Sequence, residues 1–147
     1  MENAPTAMAI TCRSTLFAIC SAALVASAID EFPAIFIAAA FARGETVATG
    51  AEELRVKESD RIRSMCDGLR ALGISAMAAP DGMRVVGGRM HGGQVDSRGD
   101  HRIAMSFAIA GLRSERPITI LDCANVNTSF PGFVDLAQRA GLKLKVA

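Results

Sequence analysis

Two short runs hold most of the residues able to do chemistry. One is Arg55-Val56-Lys57-Glu58-Ser59-Asp60-Arg61; the other is Asp96-Ser97-Arg98-Gly99-Asp100-His101-Arg102. Each stands where a loop enters a helical pattern. A helix start offers free backbone N–H groups and partial positive charge, so it favours anions and slightly disfavours cations. Lys57, Arg61 and Arg102 are therefore not placed there for helix stability. Lys57 and Arg61 are four apart, which predicts that both project from one helix face. Three cations beside a helix dipole suit a ligand with carboxylate or phosphate groups, and arginine recognises both in paired fashion. Asp30, Glu58 and Asp100 add carboxylates, and His101 adds a group that titrates near neutral pH. Fixed cations with nearby proton carriers describe an acid–base site for an anionic molecule. The pattern also allows blander roles: a solvated helix face for Lys57, Glu58 and Arg61, and simple N-caps for Asp30 and Asp100.

The elements that must position these residues are legible in outline. Residues 9–15 and 22–28 read as strands. Pro33 is a first-turn proline, and the helix it opens runs to Ala42 before Arg43-Gly44. It is apolar on nearly every side, which predicts burial all round. Residues 45–49 read as a strand. Residues 58–72 read as an amphipathic helix with Ile62, Met65, Cys66, Leu69 and Leu72 at helical spacing. Residues 74–78 and 83–86 form a hairpin around Pro80-Asp81-Gly82. The order then repeats: strand 94–96, an apolar helix from Asp100 to Ala110, strand 117–121, an amphipathic helix from Phe130 to Gly141, and strand 142–146. Asp122, like Asp81, reads as a turn residue. The period is about 70 residues, longer than solenoid repeats. Here the helices are the apolar elements and the strands are half apolar, the inverse of a doubly wound sheet. The expected fold is α/β with helices inside and sheets outside.

Composition narrows the classes. The chain is 50% hydrophobic and 21% charged, a globular balance, and its net charge of +1 gives no electrostatic reason to expect nucleic acid. Cys12, Cys20, Cys66 and Cys123 form no CxxC pair and no Cys/His cluster of zinc-site spacing, so no metal site is expected. Reduced, mostly buried thiols in a cytoplasmic protein are the expectation. Residues 16–28 combine an apolar run with a small-x-small ending after Arg13, as a secretory signal would. The run is too short to span a bilayer, and no membrane association is expected.

Four segments resemble the EPSP synthase family, in order and at matching spacing. They are Ala28-Ile29-Asp30-Glu31-Phe32-Pro33, Glu52 through Ile62, Gly99-Asp100-His101-Arg102-Ile103-Ala104-Met105 and Thr128-Ser129-Phe130-Pro131-Gly132-Phe133. The lysine-glutamate-x-x-arginine and aspartate-histidine-arginine motifs together are the specific part. The family has strands where residues 16–28 fall, which sets the signal reading aside. The resemblance implies the enolpyruvyl transferase fold, an inside-out α/β barrel whose two domains each contain three βαβαββ units. Residues 1–147 would then be one partial domain from the family's C-terminal half, holding about two units, near 9–90 and 91–147.

The implied activity is transfer of the enolpyruvyl group of phosphoenolpyruvate to the 5-hydroxyl of shikimate 3-phosphate, with no metal or organic cofactor. By resemblance, Asp30 would meet the shikimate hydroxyl and act as base. Lys57 would lie at the junction of the two substrates, and Glu58 would move protons at the methylene carbon. Arg61 and Arg102 would clamp phosphoenolpyruvate, with His101 in support. Some members carry lysine where Thr128 stands and asparagine where Glu53 stands. The family's N-terminal domain supplies a lysine, a serine-rich phosphate loop and further arginines that have no counterpart here. The chain alone is therefore expected not to catalyse the transfer, and a complementary N-terminal piece is the expected partner. Two rivals share parts of this pattern: a piece of a UDP-N-acetylglucosamine enolpyruvyl transferase, and a non-catalytic domain of a split enzyme.

Overall fold

The structure is a computed structural model that describes residues 9–12, 18–19 and 27–146. Its larger sheet has five antiparallel strands in the order β2-β1-β3-β5-β4. They are β1 (Ala9–Cys12), β2 (Ala18–Ile19), β3 (Glu45–Thr49), β4 (Ser75–Ala79) and β5 (Gly82–Val86). A second sheet pairs β6 (Gly93–Asp96) with β7 (Ile118–Leu121) in parallel, joined through a helix as a parallel pair requires. The main helices are α1 (Phe32–Phe41), α2 (Arg61–Ala71) and α3 (His101–Ala110), followed by the short α4 (Val126–Ser129) and α5 (Phe133–Arg139).

The helices carry the core. Phe32 and Phe36 of α1, Ile62, Met65 and Leu69 of α2, and Ile103 and Phe107 of α3 are all fully buried. β3 buries alternate residues, Thr46 and Ala48, and β5 buries Met83 and Val85 while Arg84 and Val86 face solvent. Helices inside and sheets outside is thus the observed arrangement. α1 packs on α3, and α2 packs on β4 and β6. Gly68 makes the α2 contact close: a Cβ there would fall 2.5 Å from Phe107 Cζ.

Several expected elements differ. α1 is not buried all round, because Ala34 and Ala38 are exposed, as is Ile109 on α3. Among the described residues nothing covers that stripe. α2 begins at Arg61, three residues later than expected, because Asp60 takes the N-cap and accepts the Arg63 backbone N–H at 3.0 Å. Lys57 and Glu58 therefore sit on the preceding loop, after a 3₁₀ turn over Glu52–Val56, and helical spacing does not relate Lys57 to Arg61. The expected helix from Phe130 starts at Phe133, after Gly132 at φ +83, and α4 precedes it unforeseen. Residues 142–146 form no strand, since no strand among the described residues offers them a ladder. Residues 27–28 are helical rather than a strand end; the rest of that expected strand, 22–26, lies outside the described residues. Of the signal-like stretch 16–28, Ala18–Ile19 is β2, and residues 16–17 and 20–26 also lie outside them. No helix among the described residues is long and apolar enough to cross a membrane.

Candidate active site

Three helix entrances meet at one place. Asp30 sits on a 3₁₀ turn, Ile29–Glu31, that leads directly into α1. Lys57 and Glu58 lie on the loop into α2, and Arg61 is its first residue. His101 and Arg102 open α3. Asp60 holds the second entrance in place by also taking Arg55 Nη1 at 2.7 Å, while Arg55 donates to the carbonyls of Pro80 and Ala79 on the β4–β5 turn. The third entrance is a tight turn with Arg98 at φ 53 and Gly99 at φ 70. The Arg98 N–H donates to Asp96 Oδ1, and its guanidinium reaches Asp67 at 2.8 Å. Ser97, fully buried, sets its hydroxyl 2.9 and 2.7 Å from the carbonyl oxygens of Leu121 and Asp122. That ties the turn to the end of β7.

Asp100 is the hub. Its side chain is 0% exposed, and Arg61, against it, is 3% exposed. Oδ2 accepts from Arg61 Nε at 2.8 Å and Ser59 Oγ at 3.1 Å; Oδ1 accepts the backbone N–H groups of Arg102 and Ile103 at 3.0 and 3.4 Å. A single carboxylate thus caps α3 and neutralises the cation at the start of α2. Arg61 Nη1 then reaches Asp30 Oδ1 at 2.9 Å, and Lys57 Nζ lies 3.6 Å from the same oxygen. Lys57 also pairs with Glu53, and Arg102 Nη1 donates to the Asp30 carbonyl at 3.1 Å and to Glu31 Oε1 at 2.8 Å. His101 Nδ1 lies 2.7 Å from Glu58 Oε2.

The residues singled out for chemistry come together here: Asp30, Lys57, Arg61, Asp100 and Arg102 through direct contacts, and the Glu58–His101 pair beside Asp100. What the sequence did not expose is Asp100 as the buried partner of Arg61, Ser59 and Ser97 as supports, and the pairs made by Glu31 and Glu53. Their partners lie 24 to 71 residues away, apart from the local Glu53–Lys57 pair. For Glu53 an i,i+4 spacing to Lys57 was the available signal.

The electrostatics follow from these contacts. Partial burial pushes the Asp30 carboxyl up, but the Arg61 hydrogen bond and the charges of Lys57, Arg102 and Arg61 outweigh it and hold it below its ordinary value of 3.8. The Glu53 contact, opposed by desolvation and helped by Asp30, holds the Lys57 ammonium above its ordinary range. Burial works against the Arg61 charge, yet Asp100 and Asp30 more than offset it. The sign for Asp30 is definite. With a folded value below the unfolded one, its contribution to stability is present above about pH 4 and is lost as pH falls through the folded value. Asp30→Asn is expected to flatten the acid limb of the stability profile below that pH. Urea midpoints measured from pH 6 downward check this; an acid limb as steep as in the unsubstituted chain would contradict it.

Glu58, Asp100 and His101 bring one ligand-type atom each within 4.8 Å of one another. That set is already committed: Asp100 accepts five hydrogen bonds, two of them from Arg61, and Glu58 and His101 face each other. A metal ion there would compete with Arg61 for a buried carboxylate, so the donors fit protons better than a cation. Beside Asp30, Glu31 and Arg102 opens a groove of about 220 Å³, lined onward by Ala34, Met105 and Phe130. The arrangement can hold an anion against fixed N–H donors and move a proton through Glu58, Asp30 or Lys57.

The family model for EPSP synthase (3-phosphoshikimate 1-carboxyvinyltransferase) matches residues 8–136. The chain is 69% identical over 120 residues to the 3-phosphoshikimate 1-carboxyvinyltransferase of Methylococcus capsulatus, which covers 82% of this chain and 28% of that protein. Against the protein of the same name from Legionella pneumophila it is 61% identical over 117 residues, 80% of this chain and 27% of the other. The chain spans roughly 28% of the length of these curated relatives. A solved structure of EPSP synthase from Acinetobacter baumannii superposes with a TM-score of 0.83 at 45% identity, covering 95% of this chain and 38% of that one.

Proposed function

Since the chain belongs to the EPSP synthase family, we propose that it supplies the phosphoenolpyruvate-facing half of a 3-phosphoshikimate 1-carboxyvinyltransferase active site. The observation that carries this is the convergence of Lys57, Arg61 and Arg102 on Asp30 from the other two helix entrances, with the Glu58–His101 pair beside Asp100. In this reading residues 1–147 form one partial domain of about two βαβαββ units, near 9–90 and 91–147, working in the cytoplasm. The substrates are phosphoenolpyruvate and shikimate 3-phosphate, in the pathway to aromatic amino acids.

The chemistry uses these side chains in a defined order. Glu58 delivers a proton to the methylene carbon of phosphoenolpyruvate, and the adjacent carbon becomes cationic. Asp30, held ionised by Arg61 and Lys57, takes the proton of the attacking hydroxyl as its oxygen bonds to that carbon. Glu58, now a carboxylate, then takes a proton back from the methyl group of the tetrahedral adduct as the C–O bond to phosphate breaks, restoring the enol double bond. Arg102 and Lys57 meet the phosphate and carboxylate charges, and Arg61 keeps Asp30 fixed. His101, beside Glu58, orients the proton carrier.

The shikimate phosphate site that the family places in its N-terminal domain is not among these residues, so the chain by itself is proposed to be inactive. Exchanging the matching segment of the Methylococcus capsulatus protein for this chain tests the reading. The chimera is expected to release phosphate from the two substrates, and Glu58→Gln in it to lower kcat about 10²- to 10⁴-fold. A folded but silent chimera, or turnover by the 147-residue chain alone, would count against the proposal.

A further inference from the structure

Two of the site's cations carry carboxylates that the fold does not need. Glu31 sits on Arg102 at 2.8 Å with its side chain 64% exposed. Glu53 pairs with Lys57 and is 59% exposed. Neither carboxylate has the buried, capping contacts of Asp100. Across the whole cluster, the three cations Lys57, Arg61 and Arg102 pair with four carboxylates, Asp30, Glu31, Glu53 and Asp100, while Glu58 pairs with His101. An arriving anion therefore meets no surplus of positive charge. The cations are present but already answered.

We infer that Glu31 and Glu53 are internal counter-anions, occupying Arg102 and Lys57 until a phosphorylated carboxylate displaces them. The inference rests on the reading of this site as facing phosphoenolpyruvate. Exposed ion pairs are weak, so each glutamate swings away at small cost, and no buried group is left unpaired when it does. Glu31, Arg102 and Asp30 line the same open groove, so the vacated Arg102 fork points to space a ligand can enter. A ligand with both phosphate and carboxylate replaces both glutamates in one event. Phosphate oxygens also suit the arginine fork better than a mobile side chain does. The two glutamates thereby set how tightly an anion must bind before the cations turn to it.

The test is an NMR titration of the purified chain with phosphoenolpyruvate at low ionic strength, where exposed charges are least screened. Glu31→Gln with Glu53→Gln is expected to raise affinity about tenfold, the combined reach of two exposed pairs. Glu45→Gln, which takes the same charge from the exposed Arg84 pair on β3, is expected to change nothing. Arg102→Ala in the double variant is expected to abolish the gain. Equal affinity for the double variant and the unsubstituted chain, an equal gain in Glu45→Gln, or no binding by any variant each overturns the inference. The chimera's turnover would still stand. A gain that survives Arg102→Ala overturns the inference too, and it also moves ligand binding away from the site on which the functional reading depends.

Discussion

Asp100→Ala is expected to cost the chain about 4 to 6 kcal/mol of stability, measured by urea unfolding, as the sum of two losses. The first is the buried partner of Arg61. Asp100 is 0% exposed and Arg61 is 3% exposed, so the substitution leaves a guanidinium in the interior with only the outlying Asp30 to answer it. Removing one member of a buried pair is costly because the other charge stays desolvated, at about 3 to 5 kcal/mol. The second loss is the cap on α3, about 1 kcal/mol. A domain has about 5 to 15 kcal/mol in total, so the variant stands near the folding threshold. Asp60→Ala isolates the smaller share, since Asp60 caps α2 from a partly exposed position. Asp100→Asn keeps the size and part of the cap while removing the charge, so it is expected to fall between them. If Asp100→Ala unfolds no more easily than Asp60→Ala, the buried pair is not the anchor described above.

A single added methyl group is expected to do comparable damage at Gly87. A Cβ there would stand 1.7 Å from the Ala42 carbonyl oxygen and 3.1 Å from that of Ala39. The first distance is far inside contact, and the obstacle is backbone, which cannot rotate away. Gly87 N–H donates to the Gly44 carbonyl at 2.9 Å and Gly88 N–H to the Ala40 carbonyl at 3.0 Å, so the end of β5 is bonded to the end of α1 at this point. Gly87→Ala must open that seam, at about 3 kcal/mol or more. Gly88 is the control. A Cβ at Gly88 would meet only Ile74 Cδ1 at 3.9 Å. The midpoint should move strongly for Gly87→Ala and little for Gly88→Ala; similar shifts would show that the seam yields.

The two variants also mark what could be read from the residues alone. The motifs were legible because each charged run abuts a helix start, and three such starts converge in the fold. The inside-out burial was legible because Phe32 to Phe41 and His101 to Ala110 are too apolar for a surface. The exact entrance to α2 was not, because Asp60 and Glu58 both look like plausible starts and only the side-chain bond to Arg63 decides. The depth of Asp100 was hidden because its main partner, Arg61, lies 39 residues back. The strand expected over 142–146 failed for a related reason: a strand is a property of a pair, and apolar alternation in one segment does not supply the other. The seam at Gly87 was equally silent, since a glycine in sequence does not say which carbonyl faces it.

The spacing of these contacts along the chain bears on how the molecule forms. Asp30 meets Arg61 across 31 residues, Arg61 meets Asp100 across 39, and Asp30 meets Arg102 across 72. Each is a loop whose closure entropy must be met before the contact returns anything, and long-range contacts of this kind slow folding. No stretch shorter than residues 30–102 contains the whole set. The site therefore cannot ripen piecemeal on a nascent segment; it orders late, after both ends of that span have docked. A folding experiment that follows Arg61–Asp100 pairing would report the final, global step rather than a local one.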